Sequence, residues 1–176
     1  NPYCCIPMLS KKILAPIIVA ALVIIGGITW SLSANQRTAA PVVEYTNLKG
    51  EKLGTQSLRG KVYLVNFWAT SCATCIAEMP EMIRTYEKYQ AKGFDFVAVA
   101  MSYDPPNYVL NFTETRALPF HVALDVNGGL AKAFGDIKLT PTTFLIDKQG
   151  RIVKRYIGKP SFEELEQIIE KEIAAS

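Results

Sequence analysis

The chain has 176 residues, a formal net charge of +3 and a single histidine, His121. That length suits one domain plus an appendage. The basic residues are scattered among acidic ones with no basic stripe, which argues against a nucleic-acid binder, and the lone histidine excludes His-rich metal sites and catalysis built on a Ser-His or Cys-His pair elsewhere in the chain.

Lys11 and Lys12 are the only charged residues before Arg37, so the remainder carries +1. Between these charges the chain is apolar from Ile13 to Trp30. A membrane-spanning helix needs about 20 mostly apolar residues, with a lower limit near 17. The apolar core of a cleaved signal peptide is shorter, about 7–15 residues. Residues 13–30 are therefore expected to form one uncleaved transmembrane anchor; the alternative is cleavage at Ser31-Leu32-Ser33-Ala34, a passable small-residue site. The positive-inside rule holds residues 1–12 in the cytoplasm and exports everything after Trp30, which sits where an interfacial aromatic belongs. Met8-Leu9-Ser10-Lys11-Lys12 reads as a natural start. Cys4 and Cys5 precede the anchor and are expected to take no part in chemistry beyond it. Residues 31–41 are small and polar, a tether, leaving 42–176 as the folded domain.

Two short apolar stretches between Val42 and Leu58, separated by Asn47-Leu48-Lys49-Gly50, predict a hairpin. Val62 to Phe67 reads as a buried strand. Ile76, Met79, Ile83 and Tyr86 recur at helical spacing to about Gln90, with Pro80 expected to kink that helix. Gly93 stops it, and Phe94 to Ala100 is a second buried strand. A loop at Asp104-Pro105-Pro106, a helix from Tyr108 to Ala117, a strand from Phe120 to Asp125 and a short helix from Gly129 to Phe134 follow. Thr142 to Ile146 and Arg151 to Ile157 pair across the turn Asp147-Lys148-Gln149-Gly150. Ser161-Phe162-Glu163-Glu164 is a capping box opening a last helix that buries Leu165, Ile168, Ile169 and Ile173. Strands alternating with helices and then a hairpin predict an α/β fold with a mixed central sheet flanked by helices.

The chemistry is concentrated in Trp68-Ala69-Thr70-Ser71-Cys72-Ala73-Thr74-Cys75. A Cys-x-x-Cys between a strand and a helix places Cys72 where unpaired N–H groups and the helix dipole stabilise a thiolate, the species that attacks disulfides. Cys75 can close a ring with it, so the pair cycles between dithiol and disulfide. A zinc site would need two further ligands, which the chain does not offer.

Val65-Asn66-Phe67-Trp68-Ala69-Thr70, the Cys72/Cys75 pair, Glu78-Met79-Pro80 and Thr140-Pro141-Thr142-Thr143-Phe144-Leu145-Ile146-Asp147, in this order, resemble the thioredoxin superfamily, and within it the membrane-anchored TlpA/ResA-like thiol–disulfide oxidoreductases. The likeness covers nearly all of residues 41–174. It implies a thioredoxin-like fold with an N-terminal β-hairpin extension, and a cis Pro141 that presents the Thr140 backbone to a substrate polypeptide like an added strand. It also implies that Glu78 is the acid/base for the resolving thiol. Trp68 suits plain core and a substrate-binding wall of the active site equally well. Asn66 stands where other thioredoxins carry a buried Asp. Two departures are Ser71, where Trp is common before the nucleophile, and Ala73-Thr74, which lacks a proline before the second cysteine.

The implied activity is a protein-disulfide reductase anchored in the cytoplasmic membrane and facing the periplasm or extracytoplasmic side, for instance in cytochrome c maturation. Its partners are protein disulfides such as apocytochrome c, a membrane electron donor and the bilayer itself. It needs no cofactor beyond the redox-active disulfide, and no nucleic acid. The alternatives are a disulfide-forming oxidase, a peroxidase, for which the cysteine context is wrong, and a non-catalytic copper or assembly chaperone, since thiolates also bind Cu(I). His121, Met79, Met82 and Met101 are expected to be structural.

Overall fold

The computed structural model describes residues 37–175, and the apolar run 13–30 read as a membrane anchor lies outside them. No helix among the described residues is long and apolar enough to cross a membrane. Two short strands, β1 (Glu44–Thr46) and β2 (Lys52–Gly54), pair antiparallel as the expected hairpin. The rest of the chain supplies β3 (Val62–Trp68), α1 (Ala73–Tyr89), β4 (Phe94–Ala100), α2 (Pro106–Thr115), β5 (His121–Leu124), α3 (Gly129–Ala133), β6 (Thr142–Ile146), β7 (Ile152–Ile157) and α4 (Phe162–Ala174). The five-stranded sheet runs β5-β4-β3-β6-β7. β3 pairs parallel with β4 and antiparallel with β6, so the sheet is mixed, as the alternation of βαβ and hairpin connections predicts.

Every residue of β3 and β4 is buried, because helices and loops cover both faces of the sheet. Successive side chains point to opposite faces. Val62, Leu64 and Trp68 enter one core with Met79 and Met82 of α1 and Leu165 and Ile169 of α4. Tyr63, Val65 and Phe67 enter the other, with Tyr45, Leu58, Ala131 and Phe134. By the same alternation Asn66 is on the α1 face.

The helix faces differ in detail from the apolar pattern. On α1 the fully buried positions are Cys75, Glu78, Met79, Met82, Thr85 and Tyr89, whereas Ile76, Ile83 and Tyr86 are only half-buried. Pro80 is exposed within this helix. On α4, Leu165, Ile169 and Glu172 are buried, and Ile168 and Ile173 half-buried. In both helices a polar residue takes a core position that hydrophobicity alone would deny it.

The folded unit starts at Thr38, inside the stretch read as tether. Ala39 bridges Arg151, the Ala40 N–H donates to the Gly150 carbonyl, and the Thr55 hydroxyl donates to the Pro41 carbonyl.

Candidate active site

β3 ends at Trp68 and α1 begins at Ala73, so the four residues between them make the turn that carries the first cysteine. The Cys72 N–H donates to the Ala69 carbonyl, which closes that turn. Cys72 is the N-cap of α1, and its sulfur accepts from the Cys75 N–H at 3.2 Å. One of the helix's orphan donors is thus aimed at the sulfur, an arrangement that stabilises negative charge there. Cys72 and Cys75 are joined in a disulfide with Cα atoms 5.2 Å apart. Cys72 is half-exposed while Cys75 is fully buried, so only the first sulfur is open to attack from outside.

Facing the disulfide is the turn before β6. The Thr140–Pro141 peptide is cis, and the Thr140 carbonyl oxygen lies 3.6 Å from Cys72 Sγ. The Pro141 carbonyl accepts from the N–H of Gly158, the residue that follows β7, which braces this turn. Trp68 is wholly buried and packs on Phe112, which matches the core alternative and leaves its indole no exposed surface.

Glu78 lies one helical turn beyond Cys75 and is fully buried. Residues three apart on a helix share a face, so the carboxyl and the inner sulfur lie on the same side of α1. Its Oε1 accepts from Asn66 Nδ2 at 3.0 Å, and Asn66 donates its second N–H to the Thr143 hydroxyl at 2.9 Å. Neither Glu78 Oε2 nor Asn66 Oδ1 has a hydrogen-bond partner among the described residues. Burial pushes the Glu78 carboxyl up to about 7, only partly opposed by the Asn66 hydrogen bond and the charge of Lys159. A carboxyl poised there can hold or release a proton near neutrality, as a general acid or base must. A solvated helix residue would have neither this burial nor this shift.

The structure brings Cys72, Cys75, Glu78, Trp68, Thr140 and Pro141, all singled out from the sequence, to one end of the sheet. Two contacts had no such signal. Thr143 completes the Asn66 bridge, and Asp104, read only as part of a Pro-rich loop, accepts from both the backbone N–H and the hydroxyl of Thr70. Asp-Pro-Pro announces a turn; no sequence signal ties it to a residue 34 positions away. Among the described residues no three His, Cys, Asp or Glu side chains gather as a metal cluster, and the redox centre is the disulfide itself.

The profile of the Redoxin family matches residues 35–169. A thiol-disulfide oxidoreductase ResA of Bacillus thuringiensis subsp. konkukian is 38% identical over 132 residues, covering 75% of each chain. The ResA of Geobacillus thermodenitrificans is 32% identical over 161 residues, covering 86% of this chain and 91% of its own. Among solved structures, a thioredoxin-family thiol:disulfide interchange protein from Chlorobium tepidum superposes with a TM-score of 0.72 at 29% identity, covering 79% of this chain and 98% of its own. StoA from Bacillus subtilis superposes with a TM-score of 0.63 at 28% identity, covering 73% and 97%. A match of that extent, running through both cysteines and the turn that faces them, makes the chain a member of the redoxin family within the thioredoxin superfamily, and an enzyme that exchanges thiols and disulfides.

Proposed function

We propose that this oxidoreductase works in the reducing direction on protein disulfides, anchored to the cytoplasmic membrane with its catalytic domain outside. The observation that carries the direction is the buried Glu78 one turn beyond the buried Cys75. Once ionised, that carboxylate opposes a thiolate on Cys75. A dithiol whose thiolates are poorly stabilised gives up its electrons readily; strong oxidants of this fold are those whose reduced form is stabilised.

In the cycle, the Cys72 thiolate attacks one sulfur of a substrate disulfide and the other substrate sulfur leaves, taking up a proton. Glu78 accepts the Cys75 proton. The Cys75 thiolate then attacks Cys72 Sγ in the mixed disulfide, expelling the second substrate thiol and leaving the Cys72–Cys75 disulfide. Two electrons and two protons pass to the substrate. The Thr140 carbonyl and the Pro141 turn offer a backbone edge on which an extended polypeptide docks beside Cys72. A membrane dithiol must then reduce the enzyme again, since the compartment itself is oxidising.

The anchored, extracytoplasmic location is supported by the apolar run 13–30 behind Lys11 and Lys12. The family likeness supports apocytochrome c thiols as substrates. The deciding experiment is equilibration of the Cys72–Cys75 couple with glutathione and dithiothreitol buffers. A potential near that of thioredoxin, about −270 mV, is expected; one near that of the periplasmic oxidants, about −120 mV, would assign the oxidase direction instead.

A further inference from the structure

Between β4 and α2 the chain makes a short loop that touches both sides of the redox site. On one side Asp104, only 5% exposed, accepts from the Thr70 N–H at 2.6 Å and from the Thr70 hydroxyl at 2.5 Å. On the other, the Tyr103 hydroxyl lies 3.4 Å from Thr140 Oγ1. The loop is itself held to the end of β3: the Met101 N–H donates to the Trp68 carbonyl, and the Asp104 N–H donates to the Met101 carbonyl. Thr70 is the second residue of the turn closed by the Cys72 N–H and the Ala69 carbonyl. Its backbone direction therefore sets where Cys72 Sγ sits relative to the Thr140 carbonyl.

We propose that Asp104 is a positioning residue for disulfide exchange, clamping Thr70 so that the Cys72 turn is held in register with the Thr140–Pro141 turn. Two features favour this over a plain loop brace. Both oxygens of one carboxylate accept from the same turn residue, and charge-assisted bonds of this kind are roughly twice as strong as neutral ones. Its carboxylate is bonded to Thr70, two residues before the nucleophile, and there it also opposes a thiolate on Cys72. Misplacing a reacting group by about 1 Å is enough to lose two orders of magnitude in rate. The proposal holds for either direction of electron flow and so does not depend on the reductase reading.

The test uses the full chain with Asp104→Ala, Asp104→Asn, Thr70→Val and Thr70→Ser, each checked for folding by thermal melting. The readouts are single-turnover attack of the reduced enzyme on a small aromatic disulfide, the kcat and KM for insulin reduction, and the equilibrium with glutathione. Asp104→Ala should slow attack at least tenfold, with the loss in kcat rather than KM. Thr70→Val, which loses only the hydroxyl bond, should slow it about threefold, and Thr70→Ser should restore the parent rate. Asp104→Asn keeps the shape and removes the charge, and should move the glutathione equilibrium at least threefold toward the dithiol. Parent-like rates and equilibrium in folded Asp104→Ala and Asp104→Asn would overturn the proposal and leave Asp104 a loop brace. If Asp104→Ala does not fold, the threonine pair decides: equal rates for Thr70→Val and Thr70→Ser overturn it as well.

Discussion

Glu78 links stability to chemistry through one protonation. Burial lifts its carboxyl from 4.5 to about 7, so folding favours the neutral acid. Between those values the folded chain binds more protons than the unfolded one, and stability falls as pH rises through the interval. The penalty is fully developed above pH 7, on the order of 3 kcal/mol, and absent below about pH 4. Glu78→Gln should therefore match the parent in acid and exceed it at pH 8, read as a gap between denaturation midpoints that widens with pH. A gap independent of pH would mean that the carboxyl is not held neutral. The same variant should slow disulfide reduction at least tenfold, since general acid–base assistance is worth about 10²–10⁴-fold. The cysteines divide by exposure: alkylation of the reduced protein at mildly acidic pH is expected at half-exposed Cys72 before buried Cys75. Cys75→Ser should accumulate mixed disulfides that Cys72→Ser does not, and labelling of Cys75 first would reverse the roles.

At the scale of elements, the N-terminal hairpin earns its place through its turn. Asn47 is buried, and its Oδ1 accepts from the N–H groups of Lys49 and Glu51 while Nδ2 donates to the Glu51 carboxylate. The same turn reaches the sheet: Asn47 bridges Ala123, and the Leu48 N–H donates to the Val122 carbonyl. The hairpin thereby covers part of the β5 edge, which would otherwise present unpaired backbone groups. Asn47→Ala leaves two backbone donors without their acceptor and should cost about 1–3 kcal/mol in urea denaturation, with the redox potential unchanged. A further example is α3, whose Leu130 and Ala131 N–H groups both donate to buried Asp125. The hairpin could be read from two apolar stretches around an Asn-to-Gly turn; the backbone bonds that close it onto β5 could not, since they join residues far apart in the chain.

For the whole molecule, the boundary of the folded unit is the open practical question. A chain beginning at Ala34 is expected to keep full disulfide-exchange activity and stability, because the chemistry lies far downstream. One beginning at Val43 loses the Ala39 bridge to Arg151, the Ala40 bond to Gly150 and the Pro41 bond to Thr55. Its melting transition should fall by the equivalent of about 2 kcal/mol, at unchanged redox potential; equal melting of the two chains would return residues 38–41 to the tether. The sequence by itself determined the order of elements, the buried strands β3 and β4 and the cysteine turn, because these rest on local signals: apolar runs, helix caps, Gly and Pro punctuation, and a Cys-x-x-Cys at a strand–helix junction. Its family likeness extended that to the Pro141 turn and Glu78. Only the tertiary structure decided that Glu78 is sealed in the core against Asn66 and Thr143, that Thr85 and Glu172 take buried helix positions, and that Asp104 grips Thr70. Hydrophobic periodicity assigns charged and hydroxyl side chains to water, and what overrides it is a partner brought from a distant strand, helix or loop, as Glu166 of α4 is for Thr85; such a partner exists only once the chain has folded.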